Sequence, residues 1–256
     1  MATFEGTIVV VAASIIADGA VSQLTHGALQ RLSPYMPQSV QSEASLARTA
    51  APAAVSSKAD IFVFGSSGYR LESKGSNGFA CLVERSWAKD PGDPEFWNPR
   101  MRAPTCFNLA AVHSILPAYL ERTKWILAGA TEADVRERIQ QQVKAGKIAP
   151  PRSGAMSYMM SKQQYLSDDG GHPWHPHVMF YFPASVASGS WGANLEGSPV
   201  LSDVAKFDHV ITFMVPVSHW SDGSPAALVP RSGGAAIRFR RRSDIPPGPS
   251  FRGSGK

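Results

Sequence analysis

Alternation of apolar and polar positions, bounded by turn residues, predicts strands at Ile61–Phe64, Tyr69–Ser73 and Phe79–Trp87. Gly65-Ser66-Ser67-Gly68 and Lys74–Gly78 supply the turns between them. In the third strand Phe79, Cys81 and Val83 share one face and Leu82 and Glu84 the other. Glu84 is therefore an acid within a largely apolar strand. The period then changes to that of a helix. Asn108 is a suitable N-cap for a helix over Phe107–Ala128, with Val112, Ile115, Leu116, Tyr119, Leu120 and Ile126 as its apolar stripe. Pro117 predicts a kink or break inside it. Thr131-Glu132-Ala133-Asp134 resembles a capping box and opens a second helix, which runs to Ala145 and stops at Gly146. Gly154–Ser161, rich in methionine, reads as a buried strand or helical turn. Val178–Phe182 and Val210–Val217 read as buried strands. The proline-dense Lys89–Cys106 and the Gly/Ser-rich Ala184–Ser202 read as loops. These elements predict an α+β fold with an antiparallel sheet of about five strands and two packed helices.

The flanks differ in character. Thr7–Ala17 is an eleven-residue apolar run, too short to span a bilayer and of the length of a signal-peptide core. Its leading flank holds Glu5 and no Lys or Arg, so a buried N-terminal strand or helix is the competing reading. Val21–Lys58 is rich in Ala, Ser, Gln and Pro and reads as a linker or a strap across the domain, with a short helix in Gln41–Ala50. The predicted organisation is a signal-like and linker segment over 1–58, one domain over 59–223, and a basic tail over 224–256 foreign to the fold. In that tail Leu228-Val229-Pro230-Arg231-Ser232 resembles a protease-recognition sequence.

The net charge of +5 changes meaning once it is located. Residues 225–256 carry seven Lys/Arg and one acid, while the rest of the chain carries 18 bases and 19 acids. The basic character belongs to the tail, which argues against a nucleic-acid-binding domain. Gly65-Ser66-Ser67-Gly68 is not a nucleophile elbow, and no G-x-S-x-G occurs anywhere in the chain. No phosphate loop or dinucleotide fingerprint is present either.

Three of the seven histidines, His172, His175 and His177, fall within six residues in GGHPWHPHVMFYF. If strand pairing begins near His175, then His175 and His177 project from one face and Val178, Phe180 and Phe182 from the other. His172, beyond a Pro-Trp corner, is placed to fold back toward them. Two imidazoles from a rigid element and a third from an adjoining loop suit a divalent ion, zinc above all. A surface loop without ligand, or histidines wedged beside aromatics, is the alternative. Glu84, Asp168 and Asp169 are the candidate general bases, Glu84 otherwise pairing with Arg85 or Arg102. Trp174 and Trp191 are candidate pocket walls. His209 and His219 flank the last strand with equal parity and are candidates to approach His175 and His177.

The stretches LARTAAP, GYRLESKGSNGFACLVERSW, FWNPRMRAP, GAMSYMMSK and GGHPWHPHVMFYFP resemble a group of uncharacterised exported bacterial proteins, over roughly Gln41 to Gly223. The resemblance implies export, to the periplasm or beyond, and supplies no activity. An exported setting permits a disulfide, and the two cysteines are Cys81 and Cys106.

The leading expectation is a metal-dependent hydrolase of a small ester, lactone or amide, with water activated at a histidine-held ion. The alternative is a non-catalytic exported protein that binds a small ligand or metal. Both need a small-molecule partner and neither needs nucleic acid or stable membrane insertion.

Overall fold

The computed structural model describes residues 32–168 and 174–226. The apolar run Thr7–Ala17, Asp169, His172 and the tail from residue 227 lie outside them. The described strands are β1 (Asp60–Gly65), β2 (Gly68–Ser73), β3 (Ala80–Glu84), β4 (Ala103–Phe107), β5 (Met156–Met159), β6 (His177–Pro183), β7 (Leu201–Val204) and β8 (Val210–Pro216). The described helices are α1 (Val40–Arg48), α2 (Ala53–Ser56), α3 (Leu109–Val112), α4 (Leu116–Leu127) and α5 (Glu132–Lys144).

All eight strands form one sheet in the order β2-β1-β3-β4-β5-β6-β8-β7. Seven neighbouring pairs make it up, and β1 with β3 runs parallel while the others run antiparallel. The expectation of about five antiparallel strands with two helices is thereby overturned: the sheet is larger and mixed, with five helices among the described residues. Two strands escape the alternation argument for physical reasons. β4 contains Pro104, a residue that normally argues against a central strand. Pro104 pairs with Val83 on one side, but the ladder to β5 reaches only Cys106 and Phe107, so its missing N–H interrupts nothing there. β7 has four residues and follows a Gly/Ser-rich loop, which leaves too little pattern to read.

Parity sorts the two faces. Cys81, Val83, Ile61 and Cys106 face Ala47, Ala50, Ala51 and Ala59, where the small side chains let α1 and its following turn lie close against the sheet. Cys81 and Cys106 are directly opposite each other, 4.0 Å apart at Cα, and form a disulfide. The other face carries the larger core: Phe64, Leu82, Trp87, Phe107, Leu116, Tyr119, Ile126, Val135 and Ile139. The long helix expected over Phe107–Ala128 is split. Asn108 caps α3, accepting a hydrogen bond from the Ala111 N–H, and α4 begins anew at Leu116 with Pro117 in its first turn, where a missing N–H is harmless. α5 opens with the Thr131–Asp134 capping box and buries Val135 and Ile139. No described helix is long and apolar enough to cross a membrane.

The loop from β2 to β3 is tied down where it crosses the start of β1. Gly75 donates its N–H to Asp60 Oδ1 at 2.6 Å, and a Cβ there would overlap the backbone of Lys58 and Ala59. At the other end of the described fold, His219 bridges to Pro225 and the Ala226 N–H donates to Ser218 O, so packed residues continue past Gly223.

Candidate functional site

β6 begins at His177, so His175 lies just outside the strand and does not share its alternation. His177, Met179 and Tyr181 face the larger core; Phe180 and Phe182 face the opposite way, against Ile211, Phe213 and Ala193. His177 pairs with Met159 of β5, and the β4–β5 ladder, which ends at Cys106–Tyr158, leaves Thr105 and Met159 on the same face. Thr105, Met159 and His177 thus share one face on three successive strands, with β4 and β6 about 10 Å apart at two strand spacings.

Glu84 stands on the same face one strand further out, on β3, diagonal to Thr105. Thr105 Oγ1 donates to Glu84 Oε2 at 2.7 Å. The residue is only 8 % exposed, and burial pushes its carboxyl up to about 7, against the opposing pull of Thr105 and the Arg122 guanidinium. Neither Arg85 nor Arg102 is its partner. Arg85 pairs with Glu43, and Arg102 donates to the carbonyls of Pro99, Met101 and Pro34. Arg122, from α4, is itself buried and donates to the carbonyls of Trp87 and Lys89, each at 3.0 Å. A carboxyl that titrates near neutrality can both accept and return a proton at physiological pH.

His177, on β6, is 5 % exposed. Its Nδ1 lies 2.8 Å from His175 O. A carbonyl can only accept, so Nδ1 carries the proton and Nε2 keeps its lone pair. Burial lowers the pKa of this ring, which keeps it neutral, and the nearby His175 ring acts in the same direction. Trp174 packs against the same core, its ring centroid 6.4 Å from that of His177. Beyond Met159 two hydroxyls lie on this otherwise apolar face. Ser157 Oγ and Tyr181 OH share a hydrogen bond at 2.8 Å, and burial together with the negative charge of Glu84 raises the Tyr181 phenol.

The remaining expected residues scatter. Asp168 is half-exposed and tied to the loop after Trp87: Tyr165, Arg100 and Asn98 all donate to its carboxylate and hold it at about 2, too low for a base at neutral pH. Asp169 and His172 lie outside the described residues. Trp191 stacks on Phe213, centroids 4.6 Å apart, and packs with Phe180 and Phe182 on the face opposite His177. β8 does neighbour β6, but Pro183 pairs with Val210, which puts His209 at the far end, roughly 20 Å along the strand from His177. His219 lies toward the near end, exposed, with Nδ1 bonded to Ser218 Oγ at 2.9 Å. Among the described residues no group of three His, Cys, Asp or Glu side chains is gathered about one point.

Thr105, Ser157, Tyr181 and Arg122 were not legible as site residues. Each reaches this face through strand register or a long side chain from α4, and single-chain alternation carries neither. No family model, curated protein or solved structure matches this chain.

Proposed function

We propose that the protein is an exported hydrolase of a small ester, lactone or amide, with Glu84 as its base. The observation that carries this reading is a buried carboxyl with a pKa near 7 on the same sheet face as a neutral histidine whose Nε2 is left to act. Glu84 and His177 stand three strand spacings apart on that face, about 14 Å. Met159 and the partly buried Trp174 belong to the core on the same face. Ionised Glu84 takes a proton from water as the water oxygen attacks the substrate carbonyl carbon. The C–O or C–N bond then breaks, and Glu84 returns the proton to the departing alcohol or amine.

His175 and His177 suit a divalent ion, zinc by donor chemistry, because both rings belong to one short segment and His177 is neutral with Nε2 unprotonated. His172, the third ligand expected from the sequence, lies outside the described residues. Such an ion, when bound, polarises a carbonyl and acidifies water. The disulfide between Cys81 and Cys106 supports an oxidising compartment and hence export.

The test uses the full chain, purified without a histidine tag, on a panel of acyl lactones, aryl esters and amides with added Zn²⁺, Mn²⁺ or Ca²⁺, or with chelator. Chelator-sensitive turnover should rise through pH 7 and fall by ~100-fold or more in Glu84→Gln, the scale of general-base catalysis. If metal-replete protein shows no turnover above a His177→Ala control on any substrate, the hydrolase reading falls and a non-catalytic ligand- or metal-binding protein replaces it.

A further inference from the structure

Gln164 is 4 % exposed, yet its carboxamide is only half satisfied. Nε2 donates to Trp174 O at 2.7 Å and to His175 O at 3.3 Å, while Oε1 is buried with no hydrogen-bond partner. Two carbonyl acceptors fix which end of the amide carries the hydrogens. An unpaired buried acceptor is unfavourable, and Leu or Met would fill the same space without it. What the amide provides in return is its grip on two successive carbonyls, and one of them is the His175 carbonyl that receives the His177 Nδ1–H at 2.8 Å.

The neighbourhood is built to hold that carbonyl still. Residues 174–176 belong to no strand, so no ladder fixes their peptides. Pro176 restricts the backbone of His175, and Pro176 O accepts from the Val217 N–H at 2.8 Å. On the other side, Tyr165 and Arg102 exchange two backbone hydrogen bonds, of 2.8 and 2.9 Å, which anchor the residue following Gln164. The His175 carbonyl is thus held from both directions, with Gln164 as the side-chain tie.

We propose that Gln164 is a positioning residue: by fixing the His175 carbonyl it holds His177 in the Nδ1–H tautomer and leaves Nε2 as the nitrogen available to a metal ion or a substrate proton. The use of Nε2 rests on the hydrolase reading above; the placement of the proton does not.

The experiment is a ¹H–¹⁵N correlation spectrum of the histidine rings in full-length protein at pH 8, with His177 assigned from a His177→Asn variant. Wild type should show His177 protonated at Nδ1 and bare at Nε2. Gln164→Leu should lower the tautomer ratio by about tenfold, the scale of one hydrogen bond. Gln164→Met, which keeps the length but cannot donate, should do the same and serves if the leucine variant does not fold. Leu166→Ala removes buried contacts from the same segment and should lower the melting temperature with the ring signals unmoved. A wild-type His177 protonated at Nε2 overturns the proposal. So does an unchanged ratio in both Gln164 variants, or an equal change in Leu166→Ala. None of these readings depends on turnover, so failure of the hydrolase panel leaves them standing.

Discussion

Arg85 and Glu43 meet in an ion pair of 2.8 Å with 0 % and 2 % of their side chains exposed. Arg85 also donates from Nε to Tyr35 O at 2.8 Å and to Val83 O at 2.6 Å, and its guanidinium lies over the Phe64 ring. One side chain therefore fastens the residue after β3 to α1 and to the turn at Ser33–Tyr35. Removing one partner strands a buried charge, so Glu43→Ala should destabilise by about 3–5 kcal/mol. The check is the urea midpoint, and Glu43→Leu combined with Arg85→Met should recover most of the loss. Equal loss in the single and double variants would show that packing, and not the charge, dominates.

Glu84 makes stability depend on pH. Its carboxyl titrates near 7 in the fold against an ordinary 4.5, so between those values the native state holds a proton that the unfolded chain has released. Stability from this group is therefore complete below about pH 4.5 and declines as pH rises through 7, by roughly 3 kcal/mol at most. Asp90, raised by burial to about 6, adds a decline of the same sign. Thermal unfolding at pH 5 and pH 8 should show wild type losing more stability than Glu84→Gln. The ionised form that would perform the chemistry is the form the fold disfavours.

Cys81 and Cys106 enclose a separation of 25 residues. On the chain-entropy estimate their bond contributes about 3 kcal/mol. Reduction, or replacement of both by alanine, should lower the urea midpoint accordingly. Two free thiols in protein made in an oxidising compartment would contradict the bond outright.

The two tryptophans should separate in function. Trp191→Ala should cost about 1–2 kcal/mol of stability by exposing Phe213 and leave any turnover or ligand affinity unchanged, because the sheet lies between it and His177. Trp174→Ala should weaken affinity several-fold, as it borders His177. Calorimetric unfolding and a ligand titration distinguish the two.

What could be read from one chain followed from local physics. Asn108, Pro117 and the Thr131–Asp134 box mark helix ends through their own side chains, and each marks one here. The face of Glu84 also followed from alternation within β3. Partners across strands did not. Thr105 lies in β4, hidden by Pro104, and meets Glu84 only through the β3–β4 register. Trp191 is a candidate pocket wall by sequence, but β6 shows opposite faces to its neighbours and Trp191 packs with Phe180 and Phe182. The histidine cluster was visible as composition, while its polarity is decided by the His175 carbonyl and by Gln164.

The crossing at Gly75 reaches further than its own turn. It seats the loop into β3 against the start of β1, where Asp60 pairs with Ala80 and Ile61 with Cys81. A bulkier residue would have to lift that loop, and a slip of one position along β3 would turn every side chain over. Glu84 would then face the alanines of α1 instead of Thr105, and Cys81 would leave Cys106. The bare backbone at that crossing thus supports the register that keeps Glu84 beside Thr105.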